Sequence, residues 1–248
     1  MLHVLILAAG KGTRMGGDHP KVLAEVGGKS MVEQLLAGIR SVCALPTIVV
    51  GYKGEEIIAR LGDRYQYVWQ KEQLGSGNAV LSAKEALKYL PISTLVVLYG
   101  DHPLVTARTV ATLASLREET GAAIAMGTVT VPNYENENKM FMAWGRIVRD
   151  EKREIESIVE AKDASPEELN IKEISPSYFA FEPKWLWENL PKIGNQNAKG
   201  EYYLTDLVGF AIAEGRKVVT VPVEPTEAMG ANTPEELEMV AKHVNSGW

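Results

Sequence analysis

The sequence predicts an α/β fold built on a mainly parallel β-sheet. Short apolar runs of strand length alternate with amphipathic stretches of helix length along most of the chain, which is the pattern of successive βα units. Capping residues also stand at the starts of several amphipathic stretches. Single domains reach roughly 250 residues, so we expect residues 1–248 to form one domain.

The predicted strands are apolar runs bounded by turn residues, and the predicted helices follow start signals. Ser30 and Glu33 form a capping box, in which each side chain satisfies a free backbone N–H at the helix start. Ser76 opens a second helix, and Thr233 followed by Pro234 opens the last one. The strands are predicted at residues 2–8, 47–51, 67–70, 94–99, 122–131 and 217–222.

Residues 133–183 break this alternation. They hold β-like pieces at 146–149, 155–160 and 171–181, separated by charged, turn-rich sequence. We interpret the segment as a β-rich insertion. Because ligands bind at the carboxyl ends of the strands in an open α/β sheet, an irregular segment of this size is expected to form one wall of the site.

Charge and cysteine content exclude several classes of partner. The chain carries 26 Lys and Arg against 32 Asp and Glu, a net charge of −6, and offers neither a basic stripe for nucleic acid nor a polybasic segment for a membrane surface. The lone Cys43 excludes an intrachain disulfide, so we expect a reducing cytoplasm. No apolar run approaches the length of about 18 residues that a membrane-spanning helix needs.

A glycine-rich loop follows the first predicted strand, and glycines there allow backbone N–H groups to approach a phosphate. A dinucleotide fingerprint is excluded because Met15 stands at its third glycine, and a P-loop is excluded because Asp18 stands at its lysine. Lys11, Arg14 and Lys21 nevertheless make this stretch cationic. Two interpretations remain: a phosphate-binding loop, or a strand-to-loop turn with solvated charges.

Eight motifs together resemble the sugar-nucleotide pyrophosphorylases, which join a nucleoside triphosphate to a sugar 1-phosphate. They are most similar to the uridylyltransferase domain of the bifunctional N-acetylglucosamine-1-phosphate uridyltransferases. The resemblance implies a Rossmann-like nucleotide-diphospho-sugar transferase fold, and it extends over nearly the whole chain. In order, the motifs are LAAGKGTRM (7–15), PKVL (20–23), QKEQLGSG (70–77), YGD (99–101), GRI (145–147), IVEAKDA (158–164), GEYYLTD (200–206) and MGAN (229–232).

The resemblance implies a Mg²⁺-dependent transfer from UTP to N-acetylglucosamine 1-phosphate, with release of pyrophosphate. It assigns catalysis to Arg14, Lys21 and Asp101, and metal binding to Asp101 and Asn232. One carboxylate and one amide oxygen suit Mg²⁺, which takes oxygen ligands and keeps several waters. Without the family context, the sequence slightly favours a turn or cap aspartate for Asp101 and favours a turn residue for Asn232. The implied nucleotide-binding residues are Ala8, Ala9, Gly10, Gly12, Gln70, Gln73, Gly75 and Ser76.

On the sugar side, the chain departs from the family pattern. Where the uridyltransferases carry Glu-Ile-Asn-Thr-Gly, this chain has Ser175-Pro176-Ser177 after Glu173-Ile174, so that the shorter Ser175 replaces the asparagine that contacts the sugar. The loss of one polar partner can alter selectivity, so a different sugar 1-phosphate, such as glucose 1-phosphate, stays an alternative. The implied sugar-binding residues are Tyr99, Gly145, Glu160, Ser175, Tyr203 and Thr205.

Two further alternatives differ in class. A non-catalytic sugar-nucleotide sensor could use the same fold, although the chain keeps Arg14, Lys21, Asp101 and Asn232. A nicotinamide-dependent oxidoreductase is disfavoured by Met15. The chain ends at Trp248, without the hexapeptide-repeat β-helix of the bifunctional enzymes, so we expect no acetyltransferase domain. The four dispersed histidines form no metal-ligand spacing and are assigned no catalytic role.

Overall fold

A computed structural model describes residues 1–16 and 18–246, through which one mixed β-sheet runs with helices on both faces. This confirms the predicted α/β class and the mostly parallel sheet. The strands follow the apolar runs, with bounds within a few residues of those predicted. They are β1 (Leu2–Ala8), β2 (Glu25–Val26), β3 (Lys29–Ser30), β4 (Thr47–Val50), β5 (Gln66–Trp69), β6 (Thr94–Tyr99), β7 (Ile124–Thr130), β8 (Arg146–Arg149), β9 (Ile155–Val159), β10 (Glu173–Ile174), β11 (Phe179–Phe181) and β12 (Val218–Pro222).

The helices begin largely where the start signals predict. Ser30 and Glu33 form the predicted capping box at the first of them, and the Thr233 side chain accepts a hydrogen bond from the Glu236 N–H at the last. The helices are α1 (Met31–Ile39), α2 (Gly54–Leu61), α3 (Ser76–Ser82), α4 (Lys84–Leu87), α5 (Ala107–Thr120), α6 (Pro166–Leu169), α7 (Pro183–Asn189), α8 (Asp206–Ala213), α9 (Pro225–Ala228) and α10 (Pro234–Asn245).

The main sheet has the order β5-β4-β1-β6-β11-β7-β10-β8-β9, and β12 pairs with β7. The pairs β1·β4, β1·β6 and β4·β5 are parallel, as is β12·β7. Every antiparallel pair in the described part of this sheet includes at least one of the insertion strands β8 to β11. The predicted insertion therefore extends the sheet that carries the parallel strands.

Alternate residues of β1 point into two hydrophobic layers. Val4 and Ile6 pack with apolar residues of α1, α2 and α5 on one face of the sheet, while Leu5 and Leu7 pack with α3, α7 and α8 on the other. A strand buried on both faces shows a continuous apolar run, which is why residues 2–8 predict a central strand. In the part of the chain that is described, no helix is both long and apolar enough to cross a membrane.

The piece predicted as one strand at 171–181 is two strands separated by a bulge, and this expectation was wrong. Ile174 pairs with Val129 and Phe179 with Met126 of β7, so five residue steps on this side match three on β7. Pro176 has no N–H to contribute to a ladder, and Ser177 has a positive φ of 59°. Residues 175–177 therefore leave the sheet between β10 and β11.

The bulge also separates β6 from β8, the strands that pair with β11 and β10 on the side away from β7. Beyond it, β11 pairs with β6, whereas before it β10 pairs with β8. The sheet consequently opens into a fork at residues 175–177, between the carboxyl end of β6 and the start of β8. This fork, together with the carboxyl end of β1, positions the candidate site.

Candidate active site

A cavity of about 530 Å³ lies at the carboxyl ends of β1 and β6, inside the fork. Its lining brings together residues from the first strand, the insertion and the last loop before α10. Sixteen of the predicted site residues line it: Ala8, Ala9, Gly10, Gly12, Lys21, Gln70, Gln73, Gly75, Ser76, Tyr99, Asp101, Gly145, Glu160, Ser175, Tyr203 and Asn232.

The glycine loop borders one end of the cavity. After β1 the chain passes Gly12, whose φ is 61°, and makes a short 3-10 turn at Thr13–Met15. A Cβ on Gly12 would lie 2.5 Å from the Lys21 Cβ, so only glycine allows the loop to pack against the residue that carries the ammonium. The backbone of the glycine loop therefore lies directly against Lys21, one of the predicted site residues.

Gln70 and Gly75 build the wall next to this loop. Gln70 is buried, and its Nε2 donates to Asn78 Oδ1 at 2.8 Å and to the Gly75 carbonyl at 3.2 Å. Gly75 has a φ of 108°, and a Cβ there would lie 2.7 Å from the Tyr202 carbonyl oxygen. The Ser76 Oγ accepts a hydrogen bond from the Leu204 N–H at 3.0 Å. These contacts hold the wall in one shape, with the Gln70 amide fixed at the cavity.

Lys21, Asp101 and Asn232 meet at the centre of the cavity. The Lys21 Nζ forms an ion pair with Asp101 Oδ2 and donates to Asn232 Oδ1 at 2.8 Å. Burial alone would raise the pKa of Asp101, but the positive charge of Lys21 outweighs it and holds that pKa below its usual range. The two oxygens that the sequence predicts as metal ligands therefore converge on one positive charge.

This donor set fits a hard divalent cation. Within residues 1–16 and 18–246, no group of three or more His, Cys, Asp and Glu side chains is arranged to hold a metal, so a cage made by the protein alone is not present there. One carboxylate and one amide oxygen remain, which suits an ion that keeps waters and takes further oxygens from substrate phosphates. The geometry fits Mg²⁺ bound together with a substrate.

Arg14 and Thr205 are the predicted site residues that do not line the cavity. Arg14 is exposed on the 3-10 turn that follows Gly12. The Thr205 Oγ1 donates to Glu160 Oε1 at 3.0 Å, so Thr205 lies behind Glu160. The roles assigned to these two residues stay predictions.

Glu160 and Tyr203 both line the cavity. Burial raises the pKa of the Glu160 carboxyl, and the hydrogen bond from Thr205 partly offsets this. The Tyr203 hydroxyl is buried and has no hydrogen-bond partner in the described structure. Because buried polar atoms are nearly always paired, this hydroxyl is available to a ligand in the cavity.

Several lining residues were not predicted. His102, which the sequence analysis left without a role, is buried and stacks on Trp144 with ring centroids 5.2 Å apart. Lys199 and Glu201 come from the loop before Tyr203, and Ser177 comes from the bulge. Position next to a predicted site residue was the only sequence signal for His102 and Ser177, and it does not distinguish lining residues from packed ones.

A comparison with protein families shows to which family this chain belongs. The family model described as "MobA-like NTP transferase domain" matches residues 4–166, which is more than half of the chain. The chain belongs to this family. It is therefore a nucleotidyltransferase by family, as the motifs predicted.

Curated relatives and solved structures agree with the family. The protein named "Bifunctional protein GlmU" of Lactobacillus delbrueckii subsp. bulgaricus is 38% identical over 99% of this chain and 53% of its own length. The protein of the same name from Staphylococcus haemolyticus is 41% identical over 93% of this chain and 50% of its own length. The chain thus spans about half the length of these relatives.

Solved structures that share the fold at low sequence identity include the following two. CMP:2-keto-3-deoxy-manno-octonic acid synthetase complexed with CTP matches with a TM-score of 0.68 and 15% identity over 100% of this chain and 99% of that one. HddC from Yersinia pseudotuberculosis matches with a TM-score of 0.69 and 18% identity over 98% of this chain and 100% of that one. These matches support the nucleotidyltransferase fold.

Proposed function

We propose that this protein transfers a uridylyl group from UTP to N-acetylglucosamine 1-phosphate, giving UDP-N-acetylglucosamine and pyrophosphate in a Mg²⁺-dependent reaction. One observation carries the proposal. Lys21, Asp101 and Asn232 converge in a single cavity that is also lined by the glycine loop and by Glu160 and Tyr203. We propose that the glycine loop serves the nucleotide and defines the nucleotide end, and that Glu160 and Tyr203 serve the acceptor and define the acceptor end.

The reaction requires an acceptor phosphate oxygen to attack the α-phosphorus of UTP while pyrophosphate leaves. Such a transfer needs little covalent chemistry from the protein, so positioning and charge neutralisation provide most of the catalysis. Lys21 supplies a fixed positive charge, and the backbone N–H groups of the glycine loop are suited to the triphosphate. Asp101 and Asn232 would hold Mg²⁺, which neutralises phosphate charge when bound.

The base and acceptor would be recognised at opposite ends. Both hydrogens of the Gln70 amide are directed at Gly75 and Asn78, so a base at this wall meets its carbonyl oxygen, an acceptor suited to the uracil N3–H. At the other end, Glu160 and Tyr203 offer a carboxyl and a hydroxyl to sugar hydroxyls. We also propose that residues 1–248 act as one nucleotidyltransferase domain, with 133–183 supplying the acceptor wall.

A second acceptor deserves a test because of the bulge. Ser175 Oγ accepts a hydrogen bond from the Ser177 N–H at 3.1 Å, so this shorter side chain is tied to its own turn. An acetamido group would then lose one expected partner. Glucose 1-phosphate, which lacks that group, is the matched alternative to N-acetylglucosamine 1-phosphate.

The test is pyrophosphate release with Mg²⁺ over UTP, dTTP, CTP and GTP, each paired with acetylated and unacetylated sugar 1-phosphates. We expect the highest kcat/KM with UTP and N-acetylglucosamine 1-phosphate. A preference for glucose 1-phosphate would move the proposal to that acceptor. Absence of pyrophosphate with every pair, alongside tight binding of a UDP-sugar, would identify a sensor and overturn the enzymatic proposal.

A further inference from the structure

Trp144 and His102 form a stacked aromatic pair in the acceptor end of the cavity. Both line it, and their rings lie 28° from parallel with centroids 5.2 Å apart. Phe141 packs edge-on against Trp144, at a centroid distance of 5.0 Å and an angle of 86°. Trp144 is only half-buried, so part of its indole remains available to a ligand.

His102 gives this pair a rigid base. Its Nδ1 hydrogen bonds with the Tyr178 hydroxyl at 2.7 Å, and that hydroxyl also donates to the Glu227 carbonyl at 3.3 Å. On another side, the Gly230 backbone lies so close that a Cβ there would be 2.5 Å from His102 Cδ2. A ring held by a hydrogen bond and by close backbone packing cannot shift without disturbing both.

Arg146 fixes the backbone that carries Trp144. Its side chain is one of the largest that is fully buried, at 1% exposure, yet no carboxylate in the described part of the chain pairs with it. Instead its guanidinium donates to the Trp144 carbonyl, to the Met142 carbonyl at 3.0 Å and to the Leu169 carbonyl at 3.4 Å. It also lies over the Tyr134 ring, 4.7 Å from the centroid.

A buried charge is costly unless it is paired or well hydrogen-bonded, and here the carbonyl acceptors offset part of that cost. The guanidinium has five donors in a planar fork, and here the fork spans the two carbonyls on either side of Ala143. The Trp144 N–H is held as well, since it donates to the Phe141 carbonyl at 3.2 Å. Both polar groups of the Trp144 backbone are therefore fixed, and the contacts with His102 and Phe141 orient the indole that projects from it.

We propose that Trp144 is a specificity-determining residue that binds the C–H face of a pyranose ring, and that Arg146 is the positioning residue that holds it there. The face of an aromatic ring carries partial negative charge and attracts the electropositive C–H groups of a sugar. Glu160 and Tyr203 line the same end of the cavity and suit the hydroxyl groups. The inference rests on the proposed function for its substrate class, a sugar attached to a nucleotide.

Equilibrium binding tests the sugar contact separately from catalysis. The measurement is the ratio of the Kd for UDP to the Kd for UDP-N-acetylglucosamine, by calorimetric titration with Mg²⁺. Trp144→Ala is expected to lower this ratio about tenfold, the equivalent of one aromatic contact, and Trp144→Phe to retain most of it. The Kd for UDP is expected to stay unchanged in both variants, which also reports that the nucleotide end is folded.

Arg146 is tested by a double-mutant cycle. Arg146→Lys keeps the charge but loses the planar set of donors. It is expected to lower the ratio of the two Kd values in the wild-type background and to have no further effect in the Trp144→Ala background. Two matched controls are expected to leave the ratio unchanged: Arg149→Lys, on the same strand but paired with Glu173, and Tyr89→Ala, an aromatic residue that is 85% exposed.

Three results would overturn the inference: an unchanged ratio in Trp144→Ala, an equal effect of Arg146→Lys in both backgrounds, or a wild-type ratio of one. The last would mean that the cavity does not bind the sugar. By contrast, a wild type that binds UDP-N-acetylglucosamine more tightly than UDP but releases no pyrophosphate would contradict the proposed reaction and leave this binding test intact.

Discussion

At the scale of single residues, the Tyr203 hydroxyl lies buried in the cavity lining, near the Asp163 carboxylate but without a well-formed hydrogen bond to any described residue. Burial raises its pKa, so the group is a neutral phenol that can both donate and accept a hydrogen bond. A buried hydroxyl without a partner lowers the stability of the free protein. Binding of a ligand would recover that free energy.

Tyr203→Phe is therefore expected to leave the free energy of unfolding unchanged or to raise it, while weakening acceptor binding. A lost hydrogen bond of about 1 kcal/mol corresponds to a roughly fivefold higher KM for the sugar 1-phosphate, with the KM for UTP unchanged. Urea denaturation and steady-state kinetics provide the two measurements. A destabilised variant with an unchanged acceptor KM would show that the hydroxyl serves the fold instead.

Ordered motifs predicted most of the residues that line the cavity, because each motif carries its own local signal. His102, Trp144 and Lys199 each stand next to such a motif but carried no signal of their own. His102 and Trp144 are 42 positions apart in the chain, and they meet only because β8 begins where β6 ends. Such a contact depends on sheet topology, which a local pattern does not contain.

At the scale of elements, α1 shows how a sequence signal becomes a stable helix start. Glu33 Oε2 accepts from the Ser30 N–H at 2.8 Å, and Arg60 Nη2 lies 2.9 Å from the same oxygen. Burial would raise the pKa of Glu33, but the hydrogen bonds from Arg60 and Ser30 outweigh it and lower that pKa to about 2. The ionised carboxylate thus stabilises the folded state.

The lowered pKa of Glu33 sets the sign of the pH dependence of the free energy of unfolding. Because the folded-state pKa is depressed, the stabilisation is present above the ordinary value of 4.5 and is lost as the pH falls towards about 2. Glu33→Gln is expected to lower the free energy of unfolding by about 1 kcal/mol near pH 7, which is typical of a lost cap. The difference from wild type should shrink steadily below about pH 4.5, as measured by urea denaturation.

Glu168→Gln is the matched control for this experiment. Glu168 occupies the same capping-box position at Ser165, but α6 has four residues and buries none of them. A smaller effect is expected there, because most helix stability comes from packing of a buried face. A constant difference between wild type and Glu33→Gln from neutral to acid pH would contradict the assignment to the carboxylate.

The elements that sequence predicted least well are those with the fewest residues. Long apolar runs such as β1 and β6 were predicted within a residue, whereas β10 and β11 have two and three residues and were merged. The hairpin of β2 and β3, which turns at Gly27 and Gly28 with positive φ at both, was not predicted. Strands of two residues contain too few alternations to show a period.

At the scale of the whole molecule, the site draws on positions from Ala8 to Asn232, so it exists only in the fully folded chain. A ligand that binds this site must therefore stabilise the native state by mass action. With UTP and Mg²⁺ at about 100 times the Kd, the gain of about 2.7 kcal/mol corresponds to a rise in Tm of roughly 5–10 °C.

Chelation of Mg²⁺ is expected to remove most of that rise in Tm, because Asp101 and Asn232 would no longer join protein to triphosphate. In Asp101→Asn, UTP should give the same small rise in Tm with or without Mg²⁺. This variant should also lower turnover by at least about 100-fold. Scanning calorimetry provides the measurement. An undiminished rise in the presence of a chelator would contradict a shared metal site.

Alternation of strands and helices predicted the class of the fold but not the way in which its sheet branches. Antiparallel β11 lies between β6 and β7, and the insertion strands continue from β10. Whether a short strand joins a sheet edge or forms a separate layer depends on partners far away in sequence. An insertion could be predicted from the sequence, whereas the membership of its strands in the main sheet came only from the structure.

The return of the chain to β7 has a consequence for how the protein could be altered. The segment that supplies Trp144, Gly145 and the bulge begins after β7 and ends at β11, and these two strands are direct neighbours, with Phe179 opposite Met126. Its two ends are therefore held by the same pair of strands. The acceptor wall is in effect an exchangeable cassette: a segment from a relative with a different acceptor could be grafted between β7 and β11 without rethreading the nucleotide end.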